Sequence, residues 1–365
     1  MNPHRTWPFR PVLGALFLGT LAAALPGVAC GGSDEEALRR DVLAHLADEV
    51  FVPTINDIRD HAVALRPTLS AVCATFNDSS RADADAAWRH THQLWNVAAA
   101  FTIGPVVEQM QAGPLDFWPV RTDTIDEALA AAPDPVDAAY IAGLGTSAKG
   151  LPALEYLYYR DPVAGFDGAC GYMLALADDI AARTADIAAA WPDQAAAFKT
   201  AGEPGSKYPT VQAAIDAIVN ASIENLYVMV KGKLDRPLGN LTGSPPDPTL
   251  VESRFSANSL TELGCNLDGF ALVYLGADLR SGGAPGLGAL VADRDPDLDA
   301  RILAQMDVAR IALGNIPPPL ADALTADRSA VQTARDEIDA LRRLIKLDVA
   351  QLLGVTLSLS DNDGD

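Results

Sequence analysis

Histidine is scarce in this 365-residue chain: there are five, and none lies beyond His92. A hydrolase triad with its histidine far downstream of the nucleophile is thereby excluded, and no Gly-x-Ser-x-Gly or His-Glu-x-x-His run occurs. Basic residues are few as well, with 27 Lys and Arg against 48 Asp and Glu, a net charge of −21. So acidic a surface repels phosphate backbones, which excludes nucleic acid as a partner; it suits solubility, cations or cationic ligands. Aromatics make up only 6%, and alternating β-branched runs are missing, so a β-sheet has no source. Cysteines number four, too few for a disulfide-built scaffold in a chain of this length.

What is present begins at the N-terminus. Arg5 and Arg10 precede the uncharged apolar stretch Val12 to Val28, which ends in Gly27-Val28-Ala29-Cys30. Small residues before a cysteine suit cleavage better than a permanent span, so residues 1–29 read as a signal peptide and Cys30 as the lipidated residue. A lipobox usually carries Leu at the place of Gly27; an ordinary secreted protein cut a residue or so earlier is the alternative. Residues 30–36 then read as a lipidated tether, with Gly31 compatible with outer-membrane sorting. The expected location is the cell envelope, facing the periplasm, with the membrane as a partner through the anchor. Export permits disulfides; Cys73 with Cys170 is the expected pair, three buried free thiols the alternative.

Ala, Leu, Asp, Glu and Arg dominate the remainder, and the periodicity predicts an all-α protein of about eight helices. They fall at 35–74, from Asp83 on, and around 135–160, 167–201, 208–234, 257–276, 298–313 and 318–352. Pro53 and Pro67 are expected to kink or interrupt the first. The composition break Gly202-Glu203-Pro204-Gly205-Ser206-Lys207 divides the chain into an N-terminal bundle, 37–203, and a C-terminal bundle, 208–365, each resembling a four-helix bundle.

Chemical motifs are sparse. His45 with Asp48 and Glu49 has metal-compatible spacing, though a solvated pair fits equally well. His90 and His92, two apart, point to different sides of a helix, which argues against a shared ion. Ser147 and Lys149 lack the setting of a Ser-Lys dyad. Gly143, Gly145 and Gly150 read as a loop, and Asp361 to Asp365 stop short of a calcium loop.

More distinctive are Phe101-Thr102-Ile103-Gly104-Pro105, Leu115-Asp116-Phe117-Trp118-Pro119 and Lys149-Gly150-Leu151-Pro152-Ala153-Leu154-Glu155-Tyr156. In this order, and with the ending Leu353-Gly354-Val355 to Asp363-Gly364-Asp365, they resemble the imelysin-like envelope proteins, in particular the lipoprotein branch. That family carries a Gly-x-His-x-x-Glu motif; here Gly150 and Glu155 match, while Pro152 occupies the histidine position. The resemblance implies paired helical bundles and a link to iron or haem acquisition, and family peptidase activity was attributed to the His and Glu. The loss at Pro152 withholds that mechanism. Two readings follow: a non-enzymatic binding protein for iron, haem or another metal ion, or an imelysin-type metallopeptidase or other hydrolase. The first would use a cleft lined by Asp116, Trp118, Lys149, Gly150 and Glu155. Glu155, on an apolar helix, needs a partner, expected to be Lys149 or an arginine.

Overall fold

A computed structural model describes residues 31–160, 166, 168–277 and 285–358. The signal peptide, Cys30 and Asp361 to Asp365 lie outside the described residues. Among those described there is no β-strand.

The first helical run is continuous from Gly31 to Ala74, as Gly31–His45, a π-helical segment Leu46–Phe51, and Val52–Ala74. Pro53 does not break it. The wider π turn lies immediately upstream, where the missing amide and the bulky ring need room. The segment read as a tether is helical too: Glu35 pairs with Arg39 at 3.0 Å, one turn on, and also reaches Arg294.

The second helix, Asp78–Ala98, starts five residues before its expected place because Asn77 caps it. Asn77 Oδ1 accepts from the Ser80 amide at 3.0 Å, and Ser80 Oγ accepts from the Asn77 amide at 3.2 Å. Replacing Asn77 with alanine is expected to cost about 1 kcal/mol, read as a lower urea midpoint; an unchanged midpoint would mean the cap contributes nothing.

Short helices, Pro105–Glu108, Ala112–Leu115, Thr122–Ala130 and Ala138–Gly143, then wrap the bundle before Gly150–Tyr159 and the long Ala169–Lys199. The single helix expected at 135–160 is therefore two, parted where Lys149 takes an extended conformation. In the second half, Val211–Tyr227 continues through a π segment, Val228–Asp235, and Ser259–Leu275, Pro296–Gly314 and Arg328–Arg343 complete the bundle. The helix expected at 318–352 is likewise split, because Asp327 caps a fresh start by accepting from the Ala330 amide.

Val52–Ala74 lies between Asp78–Ala98 and Ala169–Lys199, and a disulfide joins Cys73 to Cys170, their Cα atoms 5.9 Å apart. Cys265 is free. The two halves are not independent: Asp78–Ala98 packs directly against Ser259–Leu275, and one hydrophobic core runs through both. That seam is where the polar residues collect.

Candidate functional site

His92, Trp95 and Asn96 share one face of Asp78–Ala98 and look across the seam. Asp116 arrives from the end of Ala112–Leu115, Lys233 from the π segment Val228–Asp235, and Glu262 and Asn266 from Ser259–Leu275. Glu252 and Ser253 come from the irregular stretch before it. π turns recur at functional positions because they re-aim side chains within a helix.

His92 is 1% exposed and bonded at both nitrogens: Nε2 lies 3.2 Å from Asp116 Oδ1, and Nδ1 2.8 Å from Glu262 Oε1. Burial alone would lower its pKa, but the charges of Glu262 and Asp116 prevail and raise it well above 6.5. Lys233 Nζ is 2.8 Å from Glu252 Oε2 and donates to Asn96 Oδ1 at 2.5 Å and Asn266 Oδ1 at 2.9 Å. Burial opposes its charge, yet Glu252 and Asp116 raise its pKa as well. Ser253 Oγ lies 3.4 Å from His92 Nδ1 but donates to Glu262 Oε1 at 2.8 Å. Ser253 thus directs its hydroxyl proton to Glu262 and not to His92, so the two are not arranged as a nucleophile with its base.

Glu155 is fully buried, and its Oε1 accepts from the amides of Phe255 at 3.1 Å and Ser256 at 2.8 Å. Its Oε2 has no partner among the described residues. Burial pushes its pKa up to about 8, with the charge of Glu262 adding to the rise against the Ser256 amide. Glu252 is pushed up to about 7, again by burial first, despite Lys233. The seam thus gathers Asp116, Glu155, Glu252 and Glu262 around His92 and Lys233, and it limits the excess negative charge by holding Glu155 protonated at neutral pH. A cation would do the same.

One ligand atom from each of His92, Asp116 and Glu252 lies within 4.8 Å of the others. Two of these donors, Asp116 and Glu252, line a cavity of about 380 Å³ together with Trp95, Trp118 and Lys233. Nitrogen and carboxylate oxygen without sulfur suit iron, manganese or zinc ions rather than soft metals. Cys265 does not alter this, since burial pushes its thiol up to about 12.

A protein-family model described as Imelysin matches residues 51–347. The chain belongs to the imelysin family. It is similar to iron-regulated protein A of Synechococcus elongatus, 26% identical over 357 residues that span 95% of this chain and 96% of the relative. Among solved structures, it resembles an iron-regulated protein A precursor from Parabacteroides distasonis. There the TM-score is 0.77 and the identity 22%, over 87% of this chain and 95% of the other. An imelysin-like protein from Psychrobacter arcticum gives a TM-score of 0.75 and 18% identity, over 88% and 98%. Both show that the all-α fold is that of the imelysins.

The imelysin motif can now be placed. Gly150 has φ +83°, and a Cβ there would lie 2.5 Å from the Leu115 carbonyl oxygen. Only glycine lets the Pro114-Leu115 backbone pass so close, and Asp116 follows directly. Pro152 is buried in the first turn of Gly150–Tyr159, where a missing amide proton costs little. Of the residues expected to line a cleft, Asp116 and Trp118 do so, Gly150 shapes the backbone behind them, and Glu155 joins the buried cluster. Lys149 does not: its Nζ reaches the carbonyls of Ile141 and Ala142 at 3.4 Å. Nor is it the partner of Glu155, which uses two backbone amides instead because the 255–256 loop crosses over it. His45 stands apart from Asp48, bonding the Gly276 carbonyl at 2.5 Å while Asp48 pairs with Lys199. His90 turns away to meet the His61 ring. Sequence reasoning missed His92, Lys233, Glu252 and Glu262. For His92 a signal existed, since Trp88, Trp95 and Asn96 lie four before, three after and four after it on one face.

Proposed function

We propose that this imelysin is a non-enzymatic metal-binding protein of the cell envelope, anchored through Cys30, that takes up an iron cation at the seam between its bundles. The observation that carries the reading is the convergence of His92, Asp116 and Glu252 at the edge of a cavity. It is supported by the name of the Synechococcus relative, an iron-regulated protein. His92 would supply a nitrogen once its proton leaves, and the two carboxylates would supply oxygens; an iron ion there brings the positive charge that protons provide without it. Pro152 in place of the motif histidine favours binding over hydrolysis.

The test is titration of the chelator-stripped, desalted protein with ferrous iron, followed by elemental analysis. One ion per chain is expected, and His92→Ala should weaken binding about a hundredfold, 2.7 kcal/mol at 25 °C. Uptake of no iron, or equally tight uptake by a His92→Ala protein with unaltered circular dichroism, overturns the proposal.

A further inference from the structure

Three protein donors leave coordination positions open on an ion, and the space adjoining them is large enough for an organic molecule. The cavity has room for more than about ten waters, and Ala98, Val106, Ala221 and Val228 give it an aliphatic wall beside the polar Asn96, Thr102, Glu224, Asn225 and Asn266. Trp95, on the same lining, helps hold the Asp116 carboxyl below its ordinary value. Trp118 also lines the cavity, with its Nε1 buried and without an acceptor among the described residues. Lys233 adds a fixed positive charge to the same lining. The cavity therefore combines a cation beside the carboxylates of Asp116, Glu224 and Glu252, aromatic and aliphatic surface, and an open metal edge.

We infer that this cavity seats a small chelator with anionic oxygen donors and an aromatic or alkyl body, so that iron is held as a ternary complex of ion, chelator and protein. The inference rests on the metal reading above. In this arrangement the chelator's oxygens complete the coordination of the ion, the Lys233 ammonium offsets their charge, and the body of the chelator lies against Trp95 and Trp118. Val228 and Val107, 38% and 57% exposed, both line the cavity, so a larger side chain at Val228 narrows the room for the chelator without touching the three donors.

The experiment uses iron alone, iron with catechol, and catechol alone, each followed by calorimetry and by tryptophan emission. Expected is a complex of one iron and one catechol per chain, at least about tenfold tighter in iron than without catechol, with no binding of catechol by itself. Val228→Trp is expected to abolish that gain and keep the affinity for iron alone, with circular dichroism reporting that the fold is intact. If iron alone binds as tightly as iron with catechol, or if the gain survives in Val228→Trp, the ternary complex is wrong while the metal reading stands. Catechol that binds without iron overturns the ternary complex by making the cavity a site for the organic molecule alone. Failure of iron to bind in every arm overturns both.

Discussion

Replacing Glu155 with glutamine is expected to leave stability within about 1 kcal/mol at pH 5 and to raise it by about 3 kcal/mol or more at pH 9. The folded protein holds this carboxyl at about pH 8, chiefly through burial, against an ordinary value of 4.5. Between those two values the native state binds a proton that the unfolded chain has released, so stability falls as pH rises through that window. Glutamine keeps an oxygen to accept from the Phe255 and Ser256 amides and has no proton to lose. The slope attributable to Glu155 should therefore vanish. Urea unfolding of the metal-free protein and the variant at pH 5, 7 and 9 measures this; parallel stability profiles would mean that Glu155 is ionised in the fold as it is in water. A divergence would show that the seam retains an acid that destabilises the empty protein, as expected of a group kept for a ligand rather than for the fold.

The long helices were legible because their signal is local: apolar residues recur at the helical period in Val52–Ala74, Ala169–Lys199 and Val211–Tyr227. Their ends were less so, since Asn77 and Asp327 fix the helix starts through bonds to amides three residues on, and such polar residues are common in an acidic chain. Asp116, Trp118 and Glu155 stood out because Gly and Pro punctuate their segments. Glu252, Glu262 and Lys233 did not, because nothing local distinguishes a buried charge from the many solvated ones; only the chain's return across the seam buries them. Lys149 and Glu155 show the converse. They are neighbours in sequence with opposite charge, yet each finds backbone groups instead, a choice made by tertiary structure alone.

The seam itself can be tested at Gly269. Alanine is the better helix former by about 1 kcal/mol, so Gly269→Ala would strengthen Ser259–Leu275 in isolation. In the protein, a Cβ at this position would lie 2.0 Å from the Val97 carbonyl oxygen and 3.1 Å from the Val97 Cα. Both are backbone atoms of Asp78–Ala98, and no side-chain rotation can relieve the clash; the two helices must separate. A net loss of about 3 kcal/mol is expected, the upper part of the range for overpacked interiors. Gly264, on the same helix, has nothing within 4 Å of its Cβ position, so Gly264→Ala is the control and is expected to gain up to about 1 kcal/mol. Equal urea midpoints for the two variants would show that the close approach at Val97 does not exist in solution. The effect also reaches the site, because Asn266, one turn before Gly269, donates to the Asn96 carbonyl at 2.8 Å and accepts from Lys233. One turn further back, Glu262 holds His92 at 2.8 Å. Parting the helices lengthens these contacts on both sides of the donor set, so Gly269→Ala should weaken iron binding although no ligand has been changed, and Gly264→Ala should not.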